Sequence, residues 1–305
     1  MKSLANFIIR GRSSAVLVAA TTAVLFWLFP PFLIVSGAAV ALVTLRRGPA
    51  EGALLVALAG LGAIVLTTLV VGAPWPMVQI LAACWLPLWL LALVLRATVS
   101  LARTLQVAAV LGLAGVLGFY GVLGDPAAWW EGVLGGWERE LAALAAPGPA
   151  ADRSTLDQIL DLLKGWAPFM PGQMVSAALL FVLLSLFLGR WWQALLFNPG
   201  GFRPEFHELR LGRPLAMFML VLFGVALVTG WMPLTNGVLV LGTLYTVQGI
   251  ALVHALIFKL QLSSAWLLLF YLLLVPLLSQ LVMALGIADA WADFRNRVRP
   301  RLDKR

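Results

Sequence analysis

Long uncharged runs separated by short polar interruptions make up most of this chain. The runs cover 13–29, 32–45, 52–73, 77–95, 104–123, 173–189, 214–232, 237–258 and 262–286. They do not alternate with period two; LLVALAGLGAIVLTTLVV at 54–71 is apolar throughout. About 20 residues at about 1.5 Å rise carry a helix across about 30 Å of hydrocarbon, whereas a barrel strand shows about ten alternating residues. The pattern therefore predicts an all-α fold, a polytopic transmembrane helix bundle of eight to nine hydrophobic segments. Segment 32–45 is short for a span and reads as tilted or as half of a re-entrant hairpin. Pro276 is a candidate break in 262–286. Gly112, Gly115, Gly118, Gly121 and Gly124 predict a helix that lets a neighbouring backbone come close.

Three polar stretches interrupt the series. In 125–172, Asp125, Glu131, Glu138, Glu140, Asp152, Asp157 and Asp161 outnumber Arg139, Arg153 and Lys164. Trp129, Trp130, Val133, Trp137, Leu141 and Leu144 fall at helical spacing, which predicts one amphipathic helix. A second begins at the capping-box pattern Ser154–Asp157, with Leu156, Ile159, Leu160 and Leu163 on one face. Pro147-Gly148-Pro149 separates them. Tryptophan-rich amphipathic helices of this kind favour the headgroup boundary. The second stretch is 190–213, with Trp191, Trp192, a turn at Asn198-Pro199-Gly200-Gly201 and a short helix holding Glu205, His207, Glu208 and Arg210. The third is a basic tail, 287–305, whose Ile287, Trp291, Phe294 and Val298 predict a helix lying along the membrane surface.

Composition agrees: 62% of the 305 residues are hydrophobic, 11% are charged, and mean hydropathy is +0.98. A soluble domain carries about a quarter charged residues. The whole of 1–305 is thus expected to be a single integral membrane domain in a lipid bilayer. The net charge of +8 does not point to nucleic acid, because the basic residues stand at the ends of apolar runs. There they obey the positive-inside bias. Lys2, Arg10, Arg12, Arg46, Arg47, Arg96, Arg103, the 190–213 loop and Lys259 then belong to the cytoplasm, with the N-terminus, and the acidic 125–172 loop to the other side. Nine spans would carry the basic tail across; eight full spans keep it cytoplasmic. The first apolar run is expected to stay as a helix rather than be cleaved. One cysteine, Cys84, allows no internal disulfide.

No HExxH, GxSxG, phosphate-binding loop or dinucleotide fingerprint is present, so neither an enzyme nor a cofactor is expected, and no metal ligand set is seen. Candidate chemistry lies instead in polar residues within spans, which are costly in lipid unless paired or lining a cavity. Tyr245, Gln248, His254 and Gln280 could line a ligand pocket between helices; interhelical hydrogen bonding is the alternative. Ala15, Ala19 and Ala23, spaced by four, form a smooth strip, either for packing within the chain or for docking another membrane subunit. Asn198, Gly200, Gly201, Glu205 and Arg210 are candidates for docking a protein partner through the loop.

WQALLFNPGGFRPEFHELRL (192–211), YTVQGIALVHALIFK (245–259) and GIADAWADFRNR (286–297) resemble the YybS-like family of bacterial multi-pass membrane proteins. That family is distantly similar to the substrate-binding subunits of energy-coupling-factor vitamin transporters, which bind vitamins between helices and dock through an alanine-spaced first helix. The resemblance implies a bacterial inner membrane, and Ala15, Ala19 and Ala23 match the docking pattern. This chain departs from those subunits in having more than six hydrophobic segments and a long acidic loop. Two functions follow as expectations. One is a small-molecule-binding or transport subunit without its own energy source. The other is a non-enzymatic scaffold or assembly factor acting through 190–213.

Overall fold

The computed structural model describes residues 1–144 and 150–298, and every regular element among them is helical. In order these are α1 Lys2–Arg10, α2 Arg12–Val24, α3 Phe32–Arg47, α4 Pro49–Val71, α5 Trp75–Thr98, α6 Leu101–Leu123, α7 Pro126–Leu144, α8 Ala150–Trp166, α9 Met170–Phe197, α10 Phe202–His207, α11 Arg213–Thr229, α12 Met232–Lys259, α13 Ala265–Leu273, α14 Ser279–Ala292 and α15 Phe294–Arg297. The chain is a helical membrane protein. Among the described residues, five stretches are long and apolar enough to cross a bilayer: α4, α5, α6, the run Gln158–Phe197 that contains α9, and α12. Arg12–Trp27 and α11 are shorter apolar helices. Side chains such as Leu69, Val122 and Val228 are 78%, 84% and 89% exposed; apolar groups this bare belong against lipid, not water.

The described chain divides into two compact units. The larger comprises Met1–Val110, Ala178–Ala216 and the described part of Gly242–Arg305. Its first part is built around α3, which packs against α2, α4 and α5. Every residue from Ser36 to Leu45 is buried, so the short run 32–45 lies within a core helix of sixteen residues, α3. Its small residues, Ser36-Gly37-Ala38-Ala39, explain why: helices associate closely in lipid where side chains are small. Ala15, Ala19 and Ala23 are buried within this packing, and Ser36 Oγ donates to the Ala19 carbonyl at 2.5 Å.

The run 262–286 is not one straight helix. It becomes α13, a π-helical turn over Leu274–Leu278, and α14. Pro276 lies in that turn, as a residue lacking a backbone donor must disturb the helical ladder. The amphipathic tail helix is likewise broken. Asp293 adopts a left-handed conformation, φ 47°, so Ile287 and Trp291 belong to α14 while Phe294 begins α15. The rest of the predicted tail, 299–305, lies outside the described residues.

The smaller unit is Leu111–Ala177 with Met217–Leu241. Both predicted amphipathic helices form. α7 carries Trp129, Trp130 and Trp137 with ring centroids 6.1 Å apart in succession, and buries Leu134. α8 begins at Ala150, ahead of the expected Ser154 start, because alanines propagate a helix well. It buries Leu160, and its Lys164 reaches Glu138 of α7 at 3.1 Å. Pro147-Gly148-Pro149 is outside the described residues. Two glycines of the α6 ladder do not make the expected close approach: a Cβ on Gly118 or Gly121 would meet nothing within 4 Å, whereas one on Gly115 would meet Val175 at 3.4 Å. The close contact in this unit is at Asn236 of α12, which is fully buried. Its Nδ2 lies 2.8 Å from the Tyr120 hydroxyl, 2.9 Å from the Pro168 carbonyl and 3.0 Å from the Met232 carbonyl. Its Oδ1 accepts the Gly172 N–H at 2.8 Å.

Candidate ligand site at the 190–213 loop

The site lies in the larger unit, where α9 ends, α12 ends, and the loop between α9 and α11 folds back over both. The turn forms as its residues dictate: the Gly201 N–H donates to the Asn198 carbonyl at 3.0 Å, and Gly200 takes φ 86°, which glycine adopts without cost. The chain then enters α10. Phe202 and Phe206, one turn apart, stack on each other and against Phe187 of α9, with centroids 5.5–6.3 Å apart. Glu205 pairs with Arg190. A cluster of rings thus fixes the loop to α9 from one side.

From the other side a polar seam holds it. Gln248, fully buried in α12, accepts the Leu211 N–H at 2.7 Å through Oε1 and donates through Nε2 to the Gly286 carbonyl at 2.6 Å. Gln106 Nε2 donates to the Leu211 carbonyl at 2.9 Å. Beneath this, α12 and α14 cross at Gly249 and Gly286; a Cβ on either would overlap a backbone carbonyl of the other helix, Val282 or Tyr245. Arg213 Nε reaches the Ala290 carbonyl at 3.1 Å, and Arg210 pairs with Asp293 at 2.6 Å. The three sequence patches that carried the resemblance therefore meet in one place.

Arg295 is the residue that sequence reading missed. Its place in the basic tail predicts a surface cation, yet it is 7% exposed. Its Nη2 donates to the Leu209 carbonyl at 2.9 Å, and Nη1 stands 3.2 Å from Asp289 Oδ2. That pair holds by charge at a contact distance without an aligned hydrogen bond, and Arg295 Nε has no hydrogen-bond partner. Lys259 Nζ donates to the Arg295 carbonyl at 2.7 Å. The only signal in the sequence was the Asp289/Arg295 spacing within GIADAWADFRNR, legible only if the helix is known to break at Asp293.

Two recesses open beside this framework. The first, about 750 Å³, is lined by His207, Glu208, Arg210, Phe258, Lys259 and Arg295 among others. The second, about 560 Å³, is lined mainly by Trp191, Leu195, Phe202, Phe206 and His254. His207 borders both. Arg203 sits 5.2 Å above the Phe258 ring. Burial pushes the His207 imidazole down to about 4, with His254, Arg203 and Arg295 adding to the effect, so the ring is neutral at physiological pH.

Of the four residues expected to line a pocket, the structure brings only His254 to these recesses; its ring bonds the Tyr271 hydroxyl at 2.8 Å. Tyr245 is fully buried and its hydroxyl has no partner. Gln248 is spent in the seam. Gln280 is exposed and bonds the neighbouring Ser279 hydroxyl. Of the candidate docking residues, Glu205 and Arg210 are paired within the chain, Asn198 and Gly200 are exposed at the turn, and Gly201 is half-buried beneath Asn198. Among the described residues no group of three or more His, Cys, Asp or Glu side chains could hold a metal ion.

No curated protein and no solved structure matches the chain. Residues 151–290, which include the 190–213 loop, α12 and most of α14, match the model of a family described as "Predicted membrane protein (DUF2232)". The match supports a membrane protein and names no activity, and the likeness to transporter subunits stays an expectation of the sequence.

Proposed function

We propose that this membrane protein is a small-molecule-binding subunit that takes an amphipathic ligand at the 190–213 loop. The observation that carries the reading is the meeting of a cation-lined and an aromatic-lined recess at His207. Both volumes fall within the range of about 300–1,000 Å³ usual for ligand sites. Apolar walls with a few placed polar groups are what such sites need. The engagement of Glu205 and Arg210 inside the chain favours ligand binding over a protein-docking scaffold. The loop and the N-terminus face the cytoplasm from a bacterial inner membrane, a reading supported by the basic residues Arg47, Arg96, Arg103, Arg190 and Lys259 at span ends. Transport then requires a partner that supplies energy.

Native mass spectrometry of the full chain released from micelles tests the binding role. The wild-type protein should carry a small molecule, and Leu195→Trp, which fills the aromatic recess, should lose it. A bare wild-type spectrum overturns the reading. For sidedness, cysteines placed at Arg203 and at Glu131 should be labelled from opposite faces; the native Cys84 is buried and contributes little background. Labelling of both from one side contradicts the topology.

A further inference from the structure

Resting on that binding role, we infer that the ligand presents a phosphate group to the first recess, held by Arg295, Lys259 and Arg210 with His207 beside it. Three cations line this recess against one carboxylate, Glu208. The acidic partners of two of them, Asp289 and Asp293, are not on its lining. A guanidinium in a structural ion pair normally commits its N–H groups to aligned acceptors, because a buried charged donor without one is costly. Arg295 is 7% exposed, and its Nε and Nη1 lack an aligned hydrogen bond, as do both carboxylate oxygens of Asp289, 3.2 Å from Nη1. Arginine's planar fork beside a lysine ammonium suits phosphate, and an oxyanion at the recess adds an acceptor for a guanidinium that Asp289 holds by charge without an aligned hydrogen bond. The second recess, which shares His207, offers its rings to the apolar remainder of the same molecule. The position at the end of α12, where Lys259 leaves the span, is where a charged headgroup and its apolar tail part company.

Two sources fit this chemistry: the headgroup of a membrane phospholipid, and a free phosphorylated small molecule. The chain has two histidines, and both line these recesses, so a ring-labelled histidine spectrum reads the site directly. The full chain would be placed in phosphatidylcholine nanodiscs and exposed either to inorganic phosphate or to phosphatidylglycerol in the same discs. A bound anion should shift the His207 ring signals saturably and raise its titration midpoint above about 4, since a nearby negative charge favours the imidazolium. Lys259→Gln should weaken the response about tenfold, one charge-assisted hydrogen bond. Glu208→Gln, at an exposed position, should strengthen it severalfold. Phosphate alone acting identifies a soluble ligand, and phosphatidylglycerol alone a lipid. Silence from both, or a response indifferent to both substitutions, overturns the inference; a small molecule still retained in the native mass spectrum would leave the binding role standing.

Discussion

Two buried polar clusters stitch helices together in this protein, and they differ in how completely their groups are satisfied. Around Asn236 in the smaller unit, each polar atom of the side chain has a partner within 3.0 Å. Around Arg295 in the larger unit, a charged side chain is nearly as buried, but two of its donors and both oxygens of Asp289 lack an aligned hydrogen bond, beside a recess of about 750 Å³. A closed network contributes rigidity and nothing more is asked of it. An open one, kept at the cost of burying a charge, is where the proposed phosphate would add an acceptor.

The largest effect is expected where backbones touch. Gly286→Val puts a side chain into the Tyr245 carbonyl and should cost more than about 3 kcal/mol, seen as lost folded yield by size exclusion. Gly118→Val, facing open space, should change the melting temperature little. Asn236→Leu strands the Gly172 N–H and should cost about 2–4 kcal/mol, read from thermal unfolding in detergent; a loss no larger than that of an exposed site would erase the distinction between the clusters. Gln248→Leu, which frees the Leu211 N–H and the Gly286 carbonyl, should cost about 2 kcal/mol, whereas Gln280→Leu at the surface should stay within about 0.5 kcal/mol.

The smallest effect is a pH dependence. His207 in the folded chain titrates near 4, below the value of about 6.5 in an unfolded chain. Between these values the unfolded state binds more protons, so the stabilising contribution is present above about pH 6.5 and is lost as pH falls toward about 4. Thermal unfolding followed over that window should fall in wild type and be flatter in His207→Gln.

The helical membrane class was legible because uncharged runs of span length have few alternatives. The turn at Asn198-Pro199-Gly200-Gly201 was legible in the loop, but its aromatic interlock was not: Phe187, the partner of Phe202 and Phe206, lies in a span with no distinguishing neighbours. Two expectations failed, because spacing along a helix says neither which face meets another helix nor where the helix breaks. The α6 glycines have the right period but look outward at Gly118 and Gly121, and the close crossing falls on Gly249 and Gly286, which no repeat announced. Segment 32–45, short by length, is buried by its small residues. The tail looked continuous because nothing in its pattern reveals the left-handed turn at Asp293, and that turn is what puts Arg295 inside.

The most direct test is a cryo-electron microscopy map of the nanodisc-embedded chain, enlarged by a bound antibody fragment, at a resolution that shows side chains. Non-protein density in the recess, within hydrogen-bond distance of Arg295 and Lys259 and next to His207, is the predicted result. Arg295 fully bonded to Asp289 and neighbouring carbonyls, with the recess collapsed and no density in it, would contradict it.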